Sequence, residues 1–470
     1  MSPQQANSSM KKRVTDLICI FSDGLYEREE VVAVSLLSAL SGQSIFLYGL
    51  PGTAKSLIAR RLSKVFKDST HFEYLMQRFS TPEDVFGPVS IQELKKDNYI
   101  RKTEGYLPTA DFAFLDEIWK SSPAILNTLL TIINERIYRN GGKDEKVPLK
   151  VLIAASNETP PPNQGLEALY DRFVMRIIVN PMEERENFEK LLDGDAASND
   201  VEIPDGLQFS HDEFEQLSCE IVKVTISKEV FTIINSIRVS LDEFNKDNPK
   251  IAVYVSDRRW QKIALILKTS AFLCDRTEVI SVDTLILRHC LWTLEQNREQ
   301  INEIIEKCVK QFGCANNEKL NSWELDHKDL EKGISDTFFY TENIYDTEKK
   351  ENVLNYGGNS GYDNDSFVKW FDSTPPIKFT KGTQKAVDSR IKGTFVKACE
   401  DSLSSLAEII NDTQSNVAIQ KKLNETPFVP SDKRELVLDA FNSFLKELEN
   451  HKLNSEHLLK KVQSYEISNS

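Results

Sequence analysis

Between about residues 30 and 180, short unbroken apolar runs alternate with longer stretches of helical period. The runs are Ser44–Tyr48 (SIFLY), Phe72–Met76 (FEYLM), Phe112–Leu115 (FAFL), Lys150–Ala155 (KVLIAA) and Phe173–Val179 (FVMRIIV). Continuous rather than alternating apolarity suits strands covered on both faces. Helices are expected over Glu27–Ala39, Lys55–Phe66 and Pro123–Glu135. Strand–helix alternation of this kind argues for a parallel α/β sheet with helices on both faces, here of five strands.

From about residue 196 the pattern turns helical, and Ile301, Ile304, Ile305, Cys308, Val309 and Phe312 form one apolar stripe that ends at Gly313 as a C-cap. Residues 342–382 change character again: NYGGNSGYDNDSF is dense in turn formers, with Phe338, Phe339, Tyr340, Trp370, Phe371, Pro375, Pro376 and Phe379 around it. This reads as a small, partly β module with an aromatic core. Helical pattern returns near Phe395 and from Ser431, where Leu436, Ala440, Phe441, Phe444, Leu445 and Leu448 share a face. The expected division is an α/β core over 1–195, a helical lid over 196–305, a helical connector over 306–335, a mixed α/β partner-binding module over 336–424 and C-terminal helices over 425–470.

The 470 residues carry 58 basic and 72 acidic side chains, a net charge of −14, and 25 Phe, enough large apolar residues to exclude full disorder. The acidic balance argues against a protein that coats nucleic acid, and no basic stripe interleaved with aromatics is visible. No apolar run reaches 18 residues, and the opening MSPQQANSSMKKRVTDL has no apolar core of a signal peptide. Seven scattered Cys, without C-x-x-C spacing, suit free thiols in a reducing cytoplasm.

The chemistry concentrates in Gly49-Leu50-Pro51-Gly52-Thr53-Ala54-Lys55-Ser56, which follows an apolar strand and opens a helix. Backbone N–H groups and a helix N-terminus converging on one spot hold polyphosphate. The run extends to Leu57; Gly49 and Gly52 are expected to let the backbone approach the phosphates, Lys55 to reach the β- and γ-phosphates and Ser56 to bind Mg²⁺. Ala54 departs from the general G-x-x-x-x-G-K-[ST] pattern, which a methyl tolerates if that position is already helical. Asp116 and Glu117 end an apolar strand, where Asp116 would hold Mg²⁺ through its water shell and Glu117 would orient or deprotonate an attacking water. Asn157 ends the next strand, beside the loop, with an amide suited to the γ-phosphate or the water. Arg172, in Leu169-Tyr170-Asp171-Arg172-Phe173, stands just before the fifth strand, with Arg176 as its alternate; in a ring such an arginine enters a neighbour's site. Arg258, in Val255-Ser256-Asp257-Arg258-Arg259-Trp260, opens a helix for which Ser256 is the natural N-cap, and from a lid it would report the state of the nucleotide.

Taken in order, these segments resemble the AAA+ ATPases and, more narrowly, the RavA-like branch of the MoxR family. GLPGTAKS matches that family's usual loop, Ala54 included, and FLDEIWKSSPAILNTLLTIINER, AASNETP with LEALYDRF, RFSTPEDVFGPVSIQEL and VSDRRW are similar to it. The resemblance covers about residues 10–300; beyond 310 only the layout of a small module flanked by helices is shared. It implies a hexameric ring that hydrolyses ATP with Mg²⁺ at subunit interfaces, using Lys55, Ser56, Asp116, Glu117, Asn157, Arg172 and Arg258 in the roles above. It implies a chaperone-like remodelling or assembly factor paired with a von Willebrand factor A domain protein (ViaA-like for this branch), and in some members an inducible lysine decarboxylase. It also implies an insert over Phe86–Thr109, in which Val89-Ser90-Ile91 and Asn98-Tyr99-Ile100-Arg101 are expected to form a β-hairpin aimed at the pore. A nucleic-acid-stimulated motor and a nucleotide-switched scaffold without turnover are the competing readings.

Overall fold

The computed structural model describes residues 9–160, 165–193, 201–204, 206–313, 317–342, 344–345 and 378–467. They fall into two compact units, one of residues 1–313 with 423–437 and the other of 314–422 with 438–470.

The first unit is built on five parallel strands, β1 (Ile45–Tyr48), β2 (His71–Leu75), β3 (Phe112–Asp116), β6 (Val151–Ser156) and β7 (Met175–Ile178), in the order β2–β3–β6–β1–β7. β1, β3 and β6 are buried along nearly their whole length, as unbroken apolar runs require, whereas the edge strand β2 alternates, with Phe72 inside and His71, Glu73 and Leu75 outside. Helices α2 (Glu29–Leu40), α3 (Lys55–Ser63) and α6 (Pro123–Glu135) pack on the sheet, and α1 (Met10–Ser22) packs on α2 and α3. One core is aromatic: the Phe46 ring lies 5.5 Å from Trp119, 5.6 Å from Tyr170 and 6.0 Å from Phe173.

The expected hairpin in the insert forms otherwise. After α4 (Pro82–Phe86), Val89 and Arg101 make a single antiparallel bridge, with Ser90 N donating to Ile100 O at 2.8 Å. Ser90 then caps a short helix, α5 (Ile91–Leu94), because its hydroxyl accepts from Glu93 N. A capping serine three residues before Glu stops the strand that the apolar pattern suggested. The true hairpin is β4 (Ile137–Asn140) with β5 (Lys143–Lys146), turned by Gly141 and Gly142, both at positive φ. Asn140 clamps the insert to it, accepting from Arg101 N at 2.8 Å and donating to Arg101 O at 3.0 Å.

After α7 (Glu167–Tyr170) and α8 (Arg185–Leu192), the chain is helical, with α9 (His211–Lys223), α10 (Lys228–Asp247), α11 (Asp257–Leu273), the 3₁₀ run Ser281–His289 and α12 (Arg298–Phe312). The α12 stripe buries Ile301, Ile305, Cys308 and Val309, and Gly313 follows as C-cap; a Cβ there would stand 2.4 Å from the Val309 carbonyl oxygen.

In the second unit, α13 (Asn317–Phe338) and α14 (Ser389–Leu423) are joined by a Trp323 indole N–H bond to Ser402 O at 2.9 Å. The last helix, α15 (Ser431–Ser464), brings Val462 into a core with Ile334, Phe338, Val387, Cys399 and Tyr465. Ile344–Tyr345 pairs with Lys378–Phe379, and Tyr340 stacks on Phe379 at 4.8 Å. Trp370, Phe371, Pro375, Pro376 and NYGGNSGYDNDSF lie outside the described residues. Six cysteines are free thiols among the described residues, and none of the described helices is long and apolar enough to cross a membrane.

Candidate nucleotide site

The carboxyl ends of β1, β3 and β6 are neighbours, so Gly49, Asp116 and Asn157 meet at one edge of the sheet. Gly49 N donates to Ser156 O at 3.1 Å, seating the loop on the strand next door. The loop's glycines have different reasons from the one sequence suggests. A Cβ on Gly49 would lie 2.4 Å from Val179 O, so that residue is required by packing against the strand end. Gly52 faces open space but has φ +82. Ala54 is not helical: it stands at φ 67, ψ 19, in the left-handed region, and α3 begins one residue later. The methyl is therefore carried at a strained position rather than absorbed by a helix.

Lys55 is buried, and its ammonium donates to Gly49 O at 2.7 Å and Leu50 O at 2.8 Å. Burial lowers its affinity for a proton, and Asp116 and Glu117 nearby oppose this. Burial pushes the Asp116 carboxyl up; the Glu117 N–H bond at 3.0 Å and Lys55 pull it down, and the Glu117 charge adds to the rise. Glu117 sits at φ 52, turning the chain from β3 into the single turn Ile118–Lys120, and its carboxylate pairs with Lys120 at 3.3 Å. Asn157 Oδ1 is buried without a hydrogen-bond partner. The Asp116 carboxyl raised by burial beside Glu117, a half-buried Ser56 hydroxyl at the start of α3 and an orphaned amide oxygen fit a divalent cation with its water shell.

Beside the loop opens a cavity of about 470 Å³, lined by Leu25, Tyr26, Arg28, Leu50–Ala54, Leu57, Pro181, Met182, Phe188 and Leu191. Apolar walls next to a phosphate loop suit a nucleobase. Tyr26, Pro181 and Met182 carry no signal in sequence, because loops contribute them, and Phe188 joins them from α8. What joins them is Glu27, at φ 60, whose carboxylate accepts from Glu183 N at 2.9 Å and Glu184 N at 3.1 Å.

Arg172 and Arg258 are not at this edge. Arg172 precedes β7, at the amino end of the sheet, and Arg258 opens α11 close enough for each charge to affect the other. Asp171 ties the two segments, accepting from the Ser256 hydroxyl at 2.7 Å while that hydroxyl also caps α11 by accepting from Arg259 N at 3.2 Å. Arg176 cannot substitute for Arg172: it is fully buried, spent on Phe173 O, Tyr170 O and Trp292 O.

Residues 12–219 match the family described as the MoxR domain of MoxR–vWA–beta-propeller ternary systems, and residues 229–305 match an AAA lid domain. An uncharacterised protein of Methanocaldococcus jannaschii is 37% identical over 315 residues, 67% of this chain and 77% of its own length. Chaperone MoxR1 of Mycobacterium tuberculosis is 28% identical over 166 residues, 34% of this chain and 43% of its own. The fold is shared with a presumed ATPase of Cytophaga hutchinsonii at a TM-score of 0.50 and 19% identity, over 64% of this chain and 94% of that one. Phosphate loop, acidic strand end, lid and these likenesses agree, and the chain belongs to the MoxR family of AAA+ ATPases.

Proposed function

We propose that this protein is a Mg²⁺-dependent ATP hydrolase of RavA-like type that assembles into a sixfold ring, as the family resemblance implies, and couples turnover to remodelling or assembly of protein partners. The observation that carries this is Lys55, buried on its own loop's carbonyls beside two carboxyls and an unpartnered Asn157 oxygen. ATP phosphates would take over the Lys55 ammonium and the loop N–H groups, and the base would enter the cavity walled by Tyr26, Met182 and Phe188. Ser56 and Asp116 would hold Mg²⁺, which when bound neutralises phosphate charge. Glu117, released from Lys120, accepts the proton of the attacking water, and the Asn157 amide holds that water or the γ-phosphate. Arg172 and Arg258 lie at the other edge of the sheet, so they would act on the nucleotide of a neighbouring copy.

The matched family is described by its vWA-containing systems, which supports a von Willebrand factor A domain protein as partner. The RavA-like segments extend the proposal to a ViaA-like protein, with an inducible lysine decarboxylase as a client, and to a cytoplasmic site of action in keeping with the free thiols. Phosphate release and binding of a fluorescent ATP test the core of this. Lys55→Ala should abolish binding, and Glu117→Gln should bind normally yet hydrolyse at least 100-fold more slowly. Wild-type turnover by Glu117→Gln would overturn the catalytic assignment.

A further inference from the structure

The molecule is acidic overall, yet four cations gather at the amino edge of the sheet. Arg136 ends α6 and donates to the carbonyls of Gly42 at 3.2 Å and Lys150 at 3.3 Å, which just precede β1 and β6. Arg172 just precedes β7. Arg258 and Lys262 stand four residues apart on α11, hence on one helical face. Burial, then the charges of Arg136, Arg172 and Arg258, push Lys262 down to about 8, which puts the three arginines within electrostatic reach of Lys262, and Arg172 lies within reach of Arg258 too. The acid that opposes Lys262 and Arg172 is Asp171, and it is already engaged by the Ser256 hydroxyl and by Arg259 at 3.9 Å. Among the described residues, Arg258 and Lys262 have no hydrogen bond or ion pair, and Arg136 Nη1 and Arg172 Nε are buried without a partner. Like charges held together without counter-ions cost free energy, a cost removed when a polyanion binds.

That polyanion is not bound by the same chain's phosphate loop. Gly49 begins where β1 ends, while Arg136 and Arg172 lie where strands begin; a four-residue strand alone separates the two edges by about 13 Å. We propose that Lys262 is a further nucleotide-contacting cation, completing with Arg172 and Arg258 a site for the triphosphate held by a second copy's phosphate loop, with Arg136 fixed behind it as a positioning residue. This rests on the reading of the chain as an assembling ATP hydrolase. Lys262 then does what its place on α11 allows: it carries lid movement into the neighbour's phosphates.

The test uses full-length protein, Mg²⁺ and ATP. Lys262→Met should melt and sediment like wild type but release phosphate at least tenfold more slowly, and Lys262→Arg, which keeps the charge, should retain at least half the rate. An equimolar mixture of Lys262→Met with Glu117→Gln should hydrolyse ATP well above the sum of the two alone, since a Lys262→Met loop can meet an intact Lys262 from a Glu117→Gln copy. Wild-type turnover by Lys262→Met, or a mixture no faster than that sum, would overturn the proposal. Absence of phosphate release from wild type itself would instead refute the hydrolase reading.

Discussion

Ala54 occupies a left-handed turn at φ 67, where a Cβ costs about 1–2 kcal/mol. Two residues earlier Gly52 meets the same kind of demand without that cost, so the loop's shape is set by a backbone path, not by freedom to approach phosphate. Gly49 is the stricter position. Gly49→Ala drives a methyl to 2.4 Å from the Val179 carbonyl oxygen, a backbone atom that cannot swing aside. The variant should lose about 1–3 kcal/mol in urea denaturation and bind ATP weakly; unchanged stability would show that the loop relaxes freely. Lys55, Ser56, Asp116, Glu117 and Asn157 were legible as a group because each ends or follows a strand, and parallel strands present those ends together. The walls of the base cavity were not legible, since Tyr26 and Met182 come from loops, and their meeting with Phe188 of α8 depends on the Glu27 bonds to Glu183 and Glu184.

Elements were readable where burial imposes a period and unreadable where hydrogen bonding decides. Pro123–Glu135 is helical over the expected residues because an apolar face and an N-terminal proline agree. The β4–β5 hairpin has a wholly exposed strand, Lys143–Lys146, and so no hydrophobic signature; its only signal was Asn140-Gly141-Gly142, a turn sequence. Asn140 also makes the hairpin a brace for the insert, bonding both backbone groups of Arg101. Asn140→Ala leaves those groups unpaired, and amide exchange over residues 88–102 should quicken about 10–100-fold relative to the sheet. Equal protection would mean the insert stands by itself.

α2 is fixed to the lid by charge as well as by packing. Glu30 accepts from the His289 ring at 2.9 Å and pairs with Arg288 at 3.4 Å. Burial pushes its carboxyl up, but His289, Arg288 and Arg298 outweigh this and hold it at about 2, below its ordinary 4.5. A carboxyl depressed in the folded state adds stability above its unfolded value, and that contribution drains away as pH falls from 4.5 toward 2. The full loss is about 3 kcal/mol. Glu30→Gln should therefore be less stable than wild type at pH 6 and converge with it near pH 2; parallel stability curves would deny the pair this role.

At the scale of the whole molecule, charge is sorted by edge. One edge of the sheet carries a phosphate loop with carboxyls arranged for metal and water; the other carries Arg136, Arg172, Arg258 and Lys262. On the proposed reading, a single chain holds two complementary half-sites at opposite ends of its strands, and each is completed by another copy. Sequence placed Arg172 and Arg258 as separate features; that they meet through Asp171 and Ser256 follows only from the lid folding back on the segment before β7. The most direct measurement is phosphate release per chain across a concentration series, with the assembly state followed in parallel by sedimentation in Mg²⁺ and ATP. The account predicts near-zero turnover while the protein is monomeric and a steep rise as assemblies form. Full turnover per chain from isolated monomers would contradict it.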